Sequence, residues 1–337
     1  MSLIRLAKEL GLSTSTVSRA LNGYADVSPS TRARVFAHAK KIGYQPSPMA
    51  RKLASGKAFA IGMVLPVFGQ QGQFMDRIYS GLLAGANDAL AEGGYHVIAT
   101  AATSPEKELQ INQSMVDGGW VDGMIVARTR ASDPRVEYLQ RFGKCFVTFG
   151  RTENMPPHAW VDTDNEGAFR LATERLLRLG HERIAMLDAV RDFTFARLRE
   201  KGYRGAMCAA GLEAVVRYGQ LSNQSGEEMA GELLDSSTPP TALACATDAM
   251  AMGAYVACRA RGLEIGRDIS IIGYGNSDLA HYADPGLTTI EHHPYANGLE
   301  LGKVLLRLLG GEDPTEFSLL QPVELVIRAS DGPPRKP

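Results

Sequence analysis

The sequence predicts an α/β protein: an N-terminal all-α helix-turn-helix domain followed by two doubly wound parallel-sheet subdomains. Three observations predict this architecture. The first 57 residues are basic and space their apolar residues at helical intervals. From residue 60 onward, short apolar runs rich in β-branched residues alternate with helical stretches. The length of 337 residues leaves room for two or three compact units.

Charge is divided very unevenly along the chain. The net charge is only −1, but residues 1–57 contain ten Lys or Arg and two acidic residues, a balance of +8. The other 280 residues carry −9. A compact basic head on an acidic body is typical of a nucleic-acid-binding module joined to a second unit.

Composition excludes several classes of protein. Hydrophobic residues make up 45% and charged residues 22%, as in an ordinary globular protein. No run approaches the roughly 18 apolar residues that cross a bilayer, so no membrane partner is expected. The segment MSLIRLAKEL mixes charges with apolar residues and is not a signal peptide, which favours the cytoplasm. Four cysteines without metal-ligand spacing predict no metal site and no disulfide: Cys145, Cys208, Cys245 and Cys258.

The head begins with two short predicted helices. Ser2 can cap the first, and Gly11 then breaks it, because glycine accepts the positive φ of a sharp turn. Ser13 can cap the second helix, which covers about 14–22. The inward residues of the two helices are Leu3, Leu6, Ala7, Leu10, Val17, Ala20 and Leu21.

A third helix follows in the head. Ser28 and Pro29 supply an N-cap and a proline at the first helical position. The helix runs to Ile42 with Val35 and Ala39 facing inward, and Gly43 ends it.

The second helix has a polar outer face, which is typical of the recognition helix of a helix-turn-helix. Thr14, Ser15 and Arg19 would then meet base edges in the major groove of duplex DNA. The guanidinium fork of Arg19 can bind two acceptors of one guanine. A three-helix bundle with a solvated basic face is the alternative interpretation. The predicted DNA-binding residues of this helix are Thr14, Ser15, Thr16, Ser18, Arg19 and Asn22.

Another short helix is predicted at 49–54, after Ser47 and Pro48 and before Gly56. Such a segment is too short to be stable alone, so it should fold only against a partner. The strings TVSRALNG (16–23), VSPSTRARV (27–35), GYQPSPMARKLASGKA (43–58) and AIGMVLP (60–66) resemble the LacI/GalR family of bacterial transcription regulators. The resemblance implies that this segment is a hinge helix. It would pair with its dimer mate in the minor groove and insert Leu53, next to Ala50, between base pairs.

The body alternates strands and helices, which predicts parallel sheets with helices on both faces. Ligands of such sheets bind beyond the carboxyl ends of the strands, here in a cleft between two halves. The predicted strands are Ala60–Leu65, Tyr95–Thr100, Gly123–Ala127, Cys145–Phe149, Arg183–Asp188, Ala242–Ala246 and Ile269–Gly273, and helices include Asp76–Glu92, Glu166–Leu179 and Met250–Arg261.

The family resemblance extends over the body, in VDTDNEGAFRLATERLLRLGHERIAML (161–187), RLREKGYRGAM (197–207), DPGLTTI (284–290) and VELVIRAS (323–330). It implies a periplasmic-binding-protein-like core joined by three crossovers. The expected domains are a helix-turn-helix at 1–45, a hinge at 46–57 and a core at 58–330, followed by a tail at 331–337. Subdomain one would comprise 58–161 and 291–320, and subdomain two 162–290 and 321–330. Because the tail has no leucine heptads, a homodimer is favoured over a tetramer.

The resemblance also implies an effector site in the cleft. Arg199 lies where the family usually places a ligand-contacting arginine, and a planar fork suits vicinal hydroxyls or a carboxylate. An exposed salt bridge is the alternative role for this residue. The other effector-site candidates are Phe74, Arg151, Asp162, Leu221, Thr247, Asp248 and Asn276.

Three positions depart from the family pattern. Gly275 and Gly150 stand where relatives often have Asp, and Leu221 stands where an aromatic residue often stacks on the ligand. These departures predict a wider and less acidic pocket. The head and the stretch RDFTFARLREKGY resemble α-glucoside-type repressors most, which favours a sugar effector, in particular an α-glucoside.

Two other classes of protein can be weighed against a regulator. An enzyme is disfavoured, because the chain has no GxGxxG, GxxxxGK[ST] or GxSxG motif, and no catalytic residue or cofactor is expected. A solute-binding protein would have no use for the basic head. The sequence therefore predicts a repressor that binds pseudo-palindromic operator DNA and answers to a small-molecule effector, with a purine or sugar phosphate as the alternative ligand.

Overall fold

The computed structural model describes residues 3–21, 24, 26–44, 56–67 and 77–335. The chain divides into two compact units: a head, Met1–Phe59 with Gly119–Val121, and a core, Ala60–Gly118 with Asp122–Pro337. None of the helices in the described ranges has the length and apolarity to cross a membrane.

The head contains three helices, α1 (Leu3–Leu10), α2 (Thr14–Leu21) and α3 (Pro29–Lys41). Gly11 adopts a φ of +67° in the turn between α1 and α2, as its lack of a side chain allows. The inward residues pack into one small core: Leu6, Ala7, Val17, Ala20, Val27, Val35 and Ala39. The three predicted helices are therefore confirmed.

Side-chain contacts fix the ends of these helices. The hydroxyl of Ser13 accepts the backbone amide of Thr16 at 3.0 Å at the start of α2. Ser28 accepts the amide of Thr31 at 3.2 Å at the start of α3. Each bond satisfies an N–H group that has no partner within its helix.

Sheet one of the core has six strands in the order β11-β5-β4-β3-β1-β2, all parallel. Its helices α4 (Arg77–Ala91) and α12 (Pro294–Leu309) pack closely, because a side chain at Gly85 or Gly298 would meet the backbone of the other helix. The strands are β1 (Ala60–Pro66), β2 (His96–Ala102), β3 (Gly123–Ala127), β4 (Cys145–Phe149), β5 (Trp160–Thr163) and β11 (Ser318–Gln321). The other helices between them are α5 (Pro105–Asp117) and α6 (Pro134–Arg141).

Sheet two has the order β12-β10-β9-β8-β6-β7, and only β12 runs antiparallel to its neighbour. Its strands are β6 (Ile184–Ala189), β7 (Val215–Gly219), β8 (Ala242–Cys245), β9 (Ser270–Tyr274), β10 (Thr288–Glu291) and β12 (Glu324–Val326). The helices are α7 (Asn165–Arg178), α8 (Thr194–Ala209), α9 (Asn223–Leu234), α10 (Asp248–Ala260) and α11 (Asp278–Tyr282). A cluster of buried aliphatic and aromatic residues fills the space between this sheet and its helices.

The chain passes between the sheets three times, after β5, after β10 and after β11. The first crossing follows Thr163, two residues later than the expected boundary at 161, because β5 pairs along its whole length with β11. The expected tail also begins too early. Asp331 accepts Arg175 Nε at 2.8 Å, and the Gly332 carbonyl lies 2.9 Å from His181 Nε2, so both residues belong to the core.

Candidate functional site

A cavity of about 1370 Å³ lies between the two sheets of the core. Its wall includes residues at the carboxyl ends of β3, β4, β6, β8 and β9, as expected for a ligand site of doubly wound sheets. Small-molecule pockets usually measure about 300–1,000 Å³, so the cavity can hold a small molecule of more than one ring.

Arg199, on α8, is the most deeply buried cation in the cavity wall, with only 6% of its surface exposed. Its Nε donates to Asn165 Oδ1 and its Nη1 donates to the Ala246 carbonyl, both at 2.8 Å. The guanidinium carbon lies 3.8 Å from the centre of the Tyr274 ring and 4.7 Å from that of Phe195. These contacts hold the guanidinium in one orientation, and they exclude the alternative role in an exposed salt bridge.

His292 lies near this arginine in the cavity wall. It is the residue that directly follows β10, where the chain begins to pass from sheet two to sheet one. Its ring stacks on Tyr274 at a centroid distance of 5.0 Å. Burial, and after it the charge of Arg199, lower the pKa of His292 to about 3, so the imidazole is neutral near pH 7. Neither ring nitrogen has a hydrogen-bond partner in the described part of the chain. A ligand could therefore supply one.

Two buried carboxyl groups lie near the arginine. Asp162, at the end of β5, accepts Arg151 Nε at 2.8 Å and Asn165 Nδ2 at 3.1 Å. Burial nevertheless raises the pKa of Asp162 to about 6. Burial also raises the pKa of Asp188 to about 7, against the opposing charge of Arg199. Oδ2 of Asp188 has no partner among the described residues.

Asp248 is held by the protein itself. Its Oδ2 accepts the backbone amide of Ser277 at 2.7 Å and the Ser277 hydroxyl at 2.8 Å, and its Oδ1 accepts Thr289 Oγ1 at 2.5 Å. Thr247 caps α10 by accepting the Met250 amide at 3.1 Å. Both oxygens of this carboxylate already accept hydrogen bonds from the protein. Asp248 therefore fixes the segment after β9 and has little acceptor capacity left for a ligand.

The structure brings five of the predicted effector residues to the cavity wall and leaves others out of it. Arg151 is turned toward Asp162 and lies over the Trp160 ring, outside the wall. Asn276 is also outside the wall, because its amide bridges Glu291 Oε2 at 2.9 Å and Arg328 Nη2 at 2.7 Å. Phe74 lies outside the described residues. Those in the wall are Asp162, Arg199, Leu221, Thr247 and Asp248.

Gly275 and Gly150 both have backbone conformations that favour glycine, with φ of +131° and +106°. A Cβ at Gly150 would lie 2.5 Å from Thr129 Oγ1. At both positions where glycine replaces the family's Asp, the backbone therefore has a conformation that residues with a side chain rarely adopt.

Sequence reasoning missed several residues of the wall. Arg77, at the start of α4, donates to the Gly275 carbonyl at 2.8 Å and pairs with Glu291 at 2.7 Å, which links the two subdomains. Phe193 and Phe195 were also missed, although the alternating aromatics of RDFTF stand at the start of the helix that carries Arg199.

The two subdomains also meet through a contact that we name the clasp, formed by residues 128–131 and 193–197. The backbone amide of Thr194 donates to the Thr129 carbonyl at 3.0 Å, and Arg130 and Phe193 form an antiparallel bridge. The guanidinium carbons of Arg128 and Arg130 lie 5.5 and 5.6 Å from the centre of the Phe193 ring. This geometry permits cation–π attraction.

An ion pair and a buried arginine support the clasp. Arg197 Nη2 lies 3.0 Å from Glu153 Oε2. Beneath it, the fully buried Arg135 donates to the carbonyls of Ala127 and Arg128 at 3.0 and 3.1 Å. It also pairs with two buried carboxylates, Asp133 and Glu108. The loop that carries the subdomain-one half of the clasp is therefore rigid.

In the head, the outer face of α2 exposes Thr14, Ser15 and Arg19 to solvent. Thr16 is turned back, because its hydroxyl lies 2.8 Å from Ser13 Oγ, which makes it part of the helix cap. Ser18 is half-buried. The other predicted DNA-binding residues lie outside the described residues: Asn22, Ala50 and Leu53.

Comparison with known proteins agrees with this architecture. Residues 5–47 match the family described as bacterial regulatory proteins, lacI family, and residues 173–330 match the periplasmic binding protein-like domain. The HTH-type transcriptional regulator AglR of Rhizobium meliloti (strain 1021) is 37% identical, over 99% of this chain and 95% of the relative. The HTH-type transcriptional regulator CelR of Thermobifida fusca is 32% identical, over 98% of both chains.

Solved structures show the same likeness. A complex of the transcriptional regulator CelR with cellobiose superposes with a TM-score of 0.76 at 30% identity and covers 98% of this chain and 99% of the other. A lac repressor dimer bound to operator and the anti-inducer ONPF superposes with a TM-score of 0.83 at 26% identity, over 98% of both chains. The chain therefore belongs to the lacI family of bacterial regulatory proteins, and it is a DNA-binding transcriptional regulator rather than an enzyme.

Proposed function

We propose that this regulator is a cytoplasmic, homodimeric repressor whose affinity for operator DNA is changed by a sugar bound in the core cleft. The observation that carries the proposal is the rigidly held Arg199 in a cavity of about 1370 Å³, on the same chain as a basic helix-turn-helix. A ligand cavity does not need a basic helix-turn-helix to bind its ligand, and a helix-turn-helix does not need a ligand cavity to bind DNA. Together they suit a ligand-controlled DNA-binding protein.

Operator binding is supported by the head. Its charge of +8 favours phosphates, and the exposed polar residues of α2 suit the major groove. The related lac repressor structure contains a dimer on its operator. Two heads of a dimer would occupy half-sites about one helical turn apart on a pseudo-palindromic duplex.

A sugar is supported by the cavity wall. The planar guanidinium of Arg199 can bind vicinal hydroxyls, and the ring nitrogens of His292 are available to further hydroxyls. Phe193 and Phe195 provide the apolar faces that pyranose rings contact. The CelR relative was solved with cellobiose, and a 28% identical LacI family regulator from Enterococcus faecium was solved with ribose. Within the sugars, the sequence resemblance favours an α-glucoside.

A sugar phosphate is the second candidate effector, because the wall also contains Arg77 and Arg128. Three arginines in one cavity can bind a dianion. Arg77 is already paired with Glu291, however, and the carboxyl group of Asp162 also lines the cavity. A neutral sugar therefore remains the preferred ligand.

The clasp supplies a physical basis for the switch. Its contacts exist only in one relative arrangement of the subdomains, and the cavity wall draws on both. A ligand that prefers one arrangement shifts the equilibrium by its differential affinity, typically about 1–3 kcal/mol. The predicted hinge helix with Ala50 and Leu53 would pass this change to the heads.

The test combines two measurements on the full chain. A thermal-shift screen against disaccharides, monosaccharides, sugar phosphates and purines identifies the ligand. A ligand at about 100 times its Kd adds about 2.7 kcal/mol to the free energy of unfolding. Fluorescence anisotropy with duplex DNA then measures binding with and without this ligand. If the ligand is a purine or a sugar phosphate, the proposal of a sugar effector is wrong. If the protein shows no salt-dependent binding to DNA, the proposal that the head binds operator DNA is wrong.

A further inference from the structure

Arg19, on the outer face of α2, is held by two groups of its own head. Its Nη2 lies 2.6 Å from Oδ2 of Asp26. Its guanidinium carbon lies 5.0 Å from the centre of the Tyr24 ring. The arginine that is best placed to read a base is therefore already engaged in the absence of DNA.

The partners of Arg19 are anchored to the same helical frame. The amide of Tyr24 donates to the Arg19 carbonyl at 3.1 Å, and the Tyr24 carbonyl accepts Arg32 Nη2 of α3 at 2.7 Å. Asp26 directly precedes Val27, which is buried in the core of the head. The carboxylate is thus held next to α2 by its neighbours in the chain.

We propose that Asp26 is a positioning residue that makes the DNA contact of Arg19 selective for sequence. The carboxylate orients the guanidinium and competes with DNA phosphates for it. This inference rests on the proposed contact between α2 and operator DNA.

The selectivity follows from what different DNA groups offer to Arg19. A phosphate offers an anionic acceptor, which Asp26 already provides, and Asp26 also repels the phosphate. A guanine edge offers two acceptors, O6 and N7. A guanidinium has five N–H donors, so it can bind both acceptors while one donor stays on Asp26. The ion pair between Arg19 and Asp26 therefore weakens the binding of Arg19 to the DNA backbone more than it weakens the binding of Arg19 to guanine.

The experiment compares five full-length proteins: the unchanged chain, Asp26→Asn, Asp26→Glu, Arg19→Ala and the double variant Arg19→Ala with Asp26→Asn. Selection from duplexes with a randomised centre, followed by sequencing, gives a preferred duplex for the unchanged chain. Fluorescence anisotropy then gives the affinity of each protein for this duplex and for poly(dA-dT), which has no O6 and N7 acceptor pair, at several salt concentrations. Asparagine has nearly the shape of aspartate but no charge, so the substitution removes the competition without leaving a gap.

We expect Asp26→Asn to strengthen binding to poly(dA-dT) and to steepen its salt dependence by about one phosphate contact. The affinity for the preferred duplex divided by the affinity for the polymer should fall by about fivefold or more. This factor is the lower end of what one bidentate base contact contributes to discrimination. In the Arg19→Ala background the same substitution should leave this ratio unchanged. Asp26→Glu, which keeps the charge, should restore the ratio of the unchanged chain to within about twofold.

Two results would overturn the inference. One is an equal change in both affinities for Asp26→Asn. The other is a loss of selectivity that persists without Arg19, which would show that Asp26 acts only as a general negative charge. If the unchanged chain shows no salt-dependent binding to any duplex, the proposed operator contact itself is wrong. Melting curves of the five proteins separate these outcomes from unfolding of the head.

Discussion

Thr194 donates its backbone amide to the carbonyl oxygen of Thr129 at 3.0 Å, although the two residues belong to different subdomains. Thr129 follows β3 of sheet one, and Thr194 is the first residue of α8, the helix that carries Arg199. The bond can therefore exist only while the subdomains are close together at this point. The clasp therefore joins the two subdomains in the arrangement that the structure shows.

We predict that Thr194→Pro weakens the clasp without disturbing α8. Proline has no N–H to donate, but it is well tolerated at the first position of a helix. Phe193 has ψ of 133°, which also suits a residue that precedes proline. Loss of one hydrogen bond of about 0.5–1.5 kcal/mol should speed hydrogen exchange in residues 128–131 about 2- to 10-fold.

Thr194→Val is the matched control for this substitution. It keeps the N–H group and removes only the side-chain hydroxyl, which has no hydrogen-bond partner among the described residues. Equal exchange rates in the valine and proline variants would contradict the role that we assign to the backbone bond.

The clasp shows where prediction from sequence stops. Its hydrogen bond joins two backbone groups 65 positions apart, so no side-chain pattern marks it. Arg199, in contrast, could be placed because its neighbours match a motif. The seven predicted strands agree within one or two residues with strands of the structure: β1, β2, β3, β4, β6, β8 and β9. The five strands that were not predicted have three to five residues: β5, β7, β10, β11 and β12. No residue of β7, β11 or β12 is buried, so no buried apolar run indicates these three.

Asn276 illustrates a different limit. A polar residue after a strand that ends at a cleft is a reasonable ligand candidate, and the sequence predicted it as one. Its amide is instead bound by Glu291 and Arg328, which come from other segments of the chain. Such competition for a polar group is decided by tertiary structure and is invisible in the local sequence.

Arg199→Ala should abolish the response to effector while DNA binding in the absence of effector persists. The substitution removes the guanidinium from the cavity and also leaves Asn165 Oδ1 and the Ala246 carbonyl without their donor. We therefore expect effector affinity to fall about 10-fold or more, together with a loss of stability of about 1–3 kcal/mol. Calorimetric titration with the ligand from the thermal-shift screen measures the first effect, and urea unfolding measures the second.

Arg199→Lys is the control for charge. Lysine keeps the positive charge but cannot make the same forked contacts. If either variant releases DNA at the same effector concentration as the unchanged chain, Arg199 does not contact the effector.

Asp188 should make the core less stable as pH rises toward 7. Its folded-state pKa of about 7 lies above the ordinary value of about 3.9, so the folded chain binds more protons than the unfolded chain between these limits. The free energy of unfolding therefore decreases as pH rises through this window, by up to about 4 kcal/mol from this group. Asp188→Asn should remove that decrease.

Urea unfolding of both proteins at pH values from about 4 to 7 measures this effect. The comparison isolates Asp188, because His292 and Asp162 are present in both chains. Parallel curves of stability against pH would show that Asp188 is ionised in the folded state and would contradict the assignment.

Ser13→Ala should destabilise the head by about 1 kcal/mol, since it removes the hydroxyl that accepts the Thr16 amide at the start of α2. Ser13→Thr keeps that acceptor and serves as the control. Hydrogen exchange of α2 amides in the full chain measures the change. Equal protection of these amides in both variants would show that the cap does not stabilise α2.

In the proposed mechanism, a ligand in the core cleft controls DNA binding by the head. The most direct test is a fluorescence anisotropy titration of the selected duplex with and without the ligand from the thermal-shift screen. We predict that DNA affinity changes by about fivefold or more on ligand binding, which corresponds to a coupling of at least about 1 kcal/mol. A ligand that raises the melting temperature but leaves DNA affinity unchanged would contradict the account.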